Sequence, residues 1–405
     1  PTTKQTRYNT CANSKFLHYL TVMKLQIPAP SPAAQHSCRQ LCRLISDEIS
    51  DNGNWIPFSR FMELALYAPD FGYYTGGSHK IGVGGDFITA PALSPLFGKT
   101  LFAQLSVLLP QTAGNIYEFG AGTGDLAVSL LQNFSDGLRH YYIVELSPEL
   151  AERQRAMISN SLPPETARKI IHLDTLPDKF DGIVIGNEVL DAMPVELVRK
   201  EGGNFQQIGV SIKNGEFVQV PKTLATPTLL RSAENYFPDA EPYTSELHPA
   251  QHAFVHTVAS KLRRGGMIFI DYGFDAAQYY HPQRHMGTLI GHYRHHTVHD
   301  PFFLPGLTDL TAHVNFTDIA QAATDAGLDL IGYTTQANFL LNLGITDLLA
   351  QTGHPDTAAY LTAAAAVQQL VNPHEMGELF KVIAFGKNID TNWQGFAFGD
   401  ICHAL

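Results

Sequence analysis

The stretch Tyr117–Asp125 sets Glu118 ahead of glycines at 120, 122 and 124, between a strand pattern at Asn115–Phe119 and a helical pattern at Asp125–Phe134. Glycines at alternate positions let the backbone turn sharply from strand into helix and let a ligand approach main-chain atoms with no Cβ in the way. The amides that open the helix then face the bound group. About twenty residues past Gly124, Glu145 closes the strand pattern that starts at Tyr141, the spacing expected of an acid that accepts from ribose hydroxyls. Such charge-assisted hydrogen bonds contribute about 1.5–3 kcal/mol each. A dinucleotide site would carry G-x-G-x-x-G, but position 125 is Asp; the pattern here is E-x-G-x-G-x-G.

A second set of reactive side chains follows later strands. Glu188 and Asp191 come just after the strand pattern Gly182–Ile185, and Asp271 ends the pattern Met267–Asp271. Open α/β sheets place their active groups at the carboxyl ends of strands. Three positions apart, Glu188 and Asp191 share a face if a helical turn follows the strand. The alternative for Asp191 is a cap on the next segment. Asn187 stands beside them.

These groups need a scaffold. Residues 33–66 are helical in pattern, broken at Asp51–Gly53, and Leu96–Leu109 reads as a helix. From Asn115 onward, strands at Asn115–Phe119, Tyr141–Leu146, Ile170–Leu173, Gly182–Ile185 and Met267–Asp271 alternate with helices. That order predicts an α/β, doubly wound, Rossmann-like parallel sheet covered on both faces. Residues 195–200, 206–213 and 216–220 interrupt it as an inserted antiparallel element, with a hairpin signal at Asn214–Gly215. A helix at Asp318–Ala326 and strands at Asp329–Thr335 and Leu379–Phe385 suit an antiparallel edge of the same sheet. The glycine-rich segment around Gly85 and Asp86 reads as a lid with hinges.

The chain of 405 residues divides as 1–22, 23–95 (N-terminal helices and lid), 96–194 (first half of the core), 195–250 (inserted β region), 251–275 (core strand), 276–316 (loop region facing substrate), 317–387 (second half with a helical insertion) and 388–405 (tail). Met23 reads as the natural start, with residues 1–22 upstream of it. A net charge of −11 argues against nucleic acid as partner, because phosphate binding needs surplus Lys and Arg. No apolar run approaches a membrane span. Four cysteines without a CxxC pair predict core thiols in a reducing compartment, the cytoplasm, with the mitochondrial matrix as alternative. The run His292–His299 lacks convergent acids or cysteines, so no metal is expected; it reads as a substrate-facing loop with Tyr293 and Arg294.

The glycine pattern is similar to that of class I methyltransferases. Further stretches resemble the MidA family, the group containing the mitochondrial complex I assembly methyltransferase: Ile56–Tyr67, Gly72–Thr75, Gly85–Pro91, Ser94–Gly98, Gly186–Val195, Ile270–Gly273, Thr308–Val314 and Met376–Val382. The resemblance runs from about Ile27 to Lys387. It implies S-adenosylmethionine as cofactor, held by Glu118, Gly120, Ala121, Gly122, Gly124, Glu145, Asp174 at the adenine, Asn187 at an amide or at the methionine carboxylate, and Gly85 and Asp86 in the lid. It also implies protein arginine as substrate, with a respiratory complex I subunit homologue as a candidate partner.

An arginine guanidinium is protonated at rest, so carboxylates must grip its fork of donors. Glu188, with Asp191 or Asp271 as second carboxylate, is assigned that role, and Tyr272, Tyr293 and His313 are expected to touch substrate. Two positions depart from the family pattern: Ala92 and Asn315 stand where an acid is usual. A methyltransferase for a small molecule or another residue, and a non-catalytic assembly factor that binds the cofactor, are the competing readings. The oligomeric state is open between monomer and homodimer.

Overall fold

The computed structural model describes residues 27–76, 88–134 and 137–405. The segment 1–22 and the lid residues Gly85 and Asp86 lie outside the described residues.

Seven strands form the central sheet: β1 (Asn115–Phe119), β2 (His140–Val144), β3 (Ile170–Leu173), β4 (Phe180–Asn187), β5 (Leu262–Phe274), β6 (Asp329–Thr335) and β7 (Phe380–Lys387). Their order is β6-β7-β5-β4-β1-β2-β3, with Val314–Asn315 adding a short parallel pairing to the end of β5. All neighbours from β5 to β3 pair in parallel; β7 runs antiparallel to both β5 and β6. The two closing strands thus form an antiparallel edge of the sheet, as their sequence suggested. β6 takes the edge and β7 slots between it and β5.

Both faces are buried, and alternation along the strands sorts the side chains. Ile183, Ile185, Ile268 and Ile270 pack with helices Pro95–Leu108 and Asp125–Leu131 on one face. Val184, Met267 and Phe269 pack with helices Pro249–Lys261 and Phe316–Asp325 on the other. Each such side chain removed from water contributes about 1.5–3 kcal/mol. Two covered faces give the near-continuous apolar runs of parallel strands rather than a polar–apolar alternation.

Strand order reverses between β4 and β1, because β1 connects onward to β2 while β4 lies on its other side. That reversal opens a crevice beyond the carboxyl ends of the two strands, where ligands bind in open α/β sheets. The glycine motif follows β1 and the Glu188 turn follows β4, so the fold sets both at one crevice.

Over it sits a separate cap. The inserted strands Glu196–Glu201, Asn204–Lys213 and Glu216–Thr223 do not stand as a lone hairpin; they join Ile56–Pro57 and Tyr243–Leu247 in a five-stranded antiparallel sheet. Asn214 and Gly215 turn with φ of 54° and 81°. The expected loop at 292–299 is instead a hairpin, Ile290–Tyr293 with His296–Val298, turned through Arg294 and His295 at positive φ, and Asp309–Thr311 pairs along its other side. No helix among the described residues is long and apolar enough to cross a membrane.

Candidate active site

A cavity of about 1790 Å3 runs from the glycine loop to the cap. Among the described residues, eleven Asp and Glu side chains line it against one Arg and one Lys, so its lining is predominantly acidic. One end is built by the motif. Gly120, Gly122 and Gly124 have φ of 65°, 53° and 96°, conformations that a side chain resists. A Cβ on Gly120 would stand 2.5 Å from Val189 Cγ2, so the glycine loop touches the turn after β4 directly. Gly124 caps the helix Asp125–Leu131.

Glu118 is buried beneath the loop, accepts from the Tyr141 hydroxyl at 2.8 Å, and is pushed up to about 8 by that burial. Glu145 faces the same end. It accepts from the Ser147 amide at 2.8 Å and from Gln154 Nε2 at 3.1 Å, and burial raises its pKa. Gln154 is fully buried; the same Nε2 donates to Gly122 O at 3.0 Å, and its Oε1 lies 3.0 Å from His172 Nε2. Asp174 lines this end from an exposed position after β3, and Leu146, 78% exposed, adds an apolar surface.

The carboxylate turn follows β4. Glu188 has a positive φ of 53°, and its amide donates to Ile270 O at 2.9 Å. Its Oε1 accepts from Asn187 Nδ2 at 3.0 Å. Burial and the nearby Asp191 push Glu188 up to about 8. Asp191 is buried, accepts from the Tyr272 hydroxyl, and is raised to about 6 by burial. His313 stacks on Phe274 at 5.2 Å and burial lowers it to about 4, so it stays neutral.

Glu118, Gly120, Ala121, Gly122, Glu145, Asp174, Asn187, Glu188, Asp191, Tyr272 and His313 thus border one cavity. Three expected residues among those described do not: Gly124, which caps the helix behind the loop, Asp271 and Tyr293. Asp271 is 1% exposed and spends Oδ2 on the amides of Val189, Leu190 and Asp191 and Oδ1 on that of Tyr272. It is a brace for the turn, not a second carboxylate in the cavity. Tyr293 points into an apolar cluster with Cys38, Val298 and Phe303, because strand alternation turns its neighbour His292 to the cavity instead.

The glycine-cradled end fits a ligand with a ribose and an amino-acid head. Glu145 offers a carboxylate at one side, and at the other Asn187, 7% exposed, has an Oδ1 with no hydrogen-bond partner. Residues 96–334 match the family described as "Putative S-adenosyl-L-methionine-dependent methyltransferase". The chain belongs to that family. It is similar to a Burkholderia thailandensis protein, described as a "likely methyl transferase" and solved bound to S-adenosyl-homocysteine, with 47% identity and a TM-score of 0.90 over 94% of this chain and 100% of that one. It is also similar to the protein arginine methyltransferase NDUFAF7, mitochondrial, of Danio rerio (27% identity over 80% of this chain and 82% of the relative) and to its Caenorhabditis elegans homolog (28% over 78% and 79%). This methyltransferase uses S-adenosylmethionine.

Sequence reasoning did not pick out Gln154, which ties Gly122 to Glu145 from behind the cavity wall, nor the cap side chains Tyr67, Tyr74, His292 and Asp309 that line the cavity. Tyr67, Tyr74 and Asp309 stand inside the stretches that carry the MidA resemblance; Gln154 sits in an ordinary amphipathic helix, Pro148–Ser161, with no local signal.

Proposed function

We propose that the enzyme methylates an arginine guanidinium of a protein, with Glu188 and Asp191 as the groups that hold it. The observation that carries this reading is the pair of carboxylates on the turn that touches Gly120. It sets a cation-binding pair directly beside the donor's cradle, in a cavity whose lining is predominantly acidic. The names of the mitochondrial relatives agree with it.

When bound, S-adenosylmethionine supplies a methyl group on a positively charged sulfur. The chain's own residues do the rest. Glu145 anchors the ribose, Leu146 and Asp174 border the adenine, and Asn187 Oδ1 takes a donor of the amino-acid head. Asp191, aimed by the Tyr272 hydroxyl, holds two donors of the guanidinium and keeps its charge away from the attacking nitrogen. Glu188 orients that nitrogen. As the nitrogen gains a methyl group it gives up a proton, and Glu188, with an affinity for protons near neutrality, receives it and passes it to solvent. Positioning two reactants in line lowers the barrier without further covalent chemistry.

A respiratory complex I subunit homologue, which the MidA resemblance implies, is the first candidate target, in the cytoplasm or the mitochondrial matrix. The test is transfer of a labelled methyl group from S-adenosylmethionine to a target protein, with acid hydrolysis to identify the modified residue. Label in methylarginine that is lost in Glu188→Gln, with S-adenosylhomocysteine affinity retained, is the expected result. Label in another residue or in a small molecule would replace the arginine reading, and cofactor binding without transfer to any complex I subunit would favour a non-catalytic assembly role.

A further inference from the structure

The cavity has a second wall, which the donor-side chemistry leaves unused. Tyr67 ends helix Phe58–Tyr67, Tyr74 follows in the next turn, and Asp309 opens a strand more than two hundred residues later. All three border the cavity. The Tyr67 and Tyr74 rings stack at 5.5 Å with 22° between their planes. The Tyr74 hydroxyl donates to Asp309, 3.0 and 3.1 Å from its two oxygens.

Backbone contacts close a circuit from this group to the first wall. Tyr67 OH donates to Ala192 O at 3.0 Å, one residue past Asp191. On the other side, the Ala312 amide, three residues past Asp309, donates to Asp191 O at 3.0 Å. Asp191 and Asp309 therefore belong to one ring of contacts about one stretch of cavity, and the same device holds each: a tyrosine hydroxyl donates to the carboxylate and fixes its direction. Burial and the charges of Asp309 and Asp191 raise the phenols of Tyr67 and Tyr74, so both rings keep their protons. Neutral aromatic faces next to a buried carboxylate suit a flat cation, which gains from the ring face and from the charge together.

We infer that Asp309, aimed by Tyr74 and flanked by Tyr67, is a binding residue that grips the target's cationic side chain from the cap, opposite Asp191. This deepens the arginine reading and rests on it. Asp309 then supplies discrimination. A neutral side chain would gain nothing from its charge, and an ammonium would use one donor direction where a guanidinium fills both walls.

The experiment uses the full chain saturated with S-adenosylhomocysteine and titrated with agmatine, which carries a guanidinium and an ammonium on an aliphatic stem. Its urea analogue carbamoylputrescine, which keeps the ammonium but has an uncharged urea in place of the guanidinium, is the control. Wild type should bind agmatine and bind the urea analogue at least tenfold more weakly. Asp309→Asn keeps an oxygen for Tyr74 to donate to but removes the charge; it should weaken agmatine at least tenfold, with S-adenosylhomocysteine affinity and melting temperature unchanged. Tyr74→Phe keeps the charge and loses its aim, so a three- to tenfold weakening is expected, and it serves if Asp309→Asn does not fold. Wild-type agmatine affinity in the variants overturns the role of Asp309 alone, and so does equal binding of the urea analogue. No agmatine binding by wild type overturns the arginine reading itself, and this inference with it.

Discussion

Asp271 lies directly under the turn that presents Glu188, and its Oδ2 accepts the amide of Leu190 at 2.9 Å and that of Val189 at 3.1 Å. The Glu188 amide in turn reaches back to Ile270 O, the residue before Asp271. The two strands β4 and β5 are thereby pinned at their carboxyl ends, and Glu188 is held at a positive φ that a free turn would resist.

Asp271→Asn should accordingly damage turnover without touching substrate. Asn has one acceptor where Asp has two, so in either orientation an amide nitrogen meets backbone N–H donors. Each unsatisfied buried donor costs about 1–3 kcal/mol. A lower melting temperature and a kcat reduced more than tenfold are expected, measured by calorimetry and methyl transfer. A variant with wild-type stability and turnover would show that the brace is dispensable.

The pH profile tests the carboxylate pair. Asp191 is raised to about 6 and Glu188 to about 8, both by burial. A cation is held by ionised carboxylates, so kcat/KM should climb as pH rises from about 6 to about 8, and Glu188→Gln should remove the upper part of the climb. The stability sign is opposite. A folded-state pKa above the ordinary carboxylate value means that the folded protein binds protons more tightly than the unfolded chain. The associated stability is present in acid and lost as pH rises through about 8. Glu188→Gln should therefore melt higher than wild type at pH 8, with the gap closing towards pH 5. A gap that widens in acid would remove Glu188 from its buried position.

Gly120→Ala tests the link between cradle and carboxylates. The added Cβ would fall 2.5 Å from Val189 Cγ2 on a backbone with φ of 65°. Both the donor site and the Glu188 turn should shift, so S-adenosylhomocysteine affinity and turnover should fall together, each by more than tenfold. Gly122→Val should abolish cofactor binding, and Glu145→Ala should weaken it roughly ten- to a hundredfold through the lost charged hydrogen bonds. Titration calorimetry on folded variants checks all three; unchanged affinities would move the donor site elsewhere.

The sheet was legible because both of its faces are covered: apolar runs such as Gly182–Ile185 and Met267–Asp271 have no other home. The glycine loop and Glu188 could be read from local spacing, since each sits at the end of its own strand. What spacing could not give was direction. Asp271 and Asp191 look alike in sequence, yet one carboxylate is spent on backbone amides and the other opens on the cavity. Tyr293 lost its expected place to His292 by one step of strand alternation. The position of β7 between β5 and β6 depends on a long return through helices, and no local signal separates it from an edge strand.

Gln154 is the site residue with no sequence signal, and its geometry predicts an unusual pH response. One amide nitrogen donates both to Gly122 O and to Glu145 Oε2, so it ties the glycine loop to the ribose-binding acid. Gln154→Ala should loosen S-adenosylhomocysteine about tenfold at every pH, a loss of about 1.4 kcal/mol. Gln154→Glu keeps the shape but sets an oxygen against two acceptors, one of them charged. At pH 8 the loss should exceed that of the alanine variant. As pH falls, the crowded carboxyl group regains a proton, can donate again, and affinity should recover towards wild type near pH 6. Titration of both variants at the two pH values checks this. Wild-type affinity of Gln154→Glu at pH 8 would mean that the amide does not position Glu145, whereas a loss with no recovery in acid would reduce Gln154 to packing.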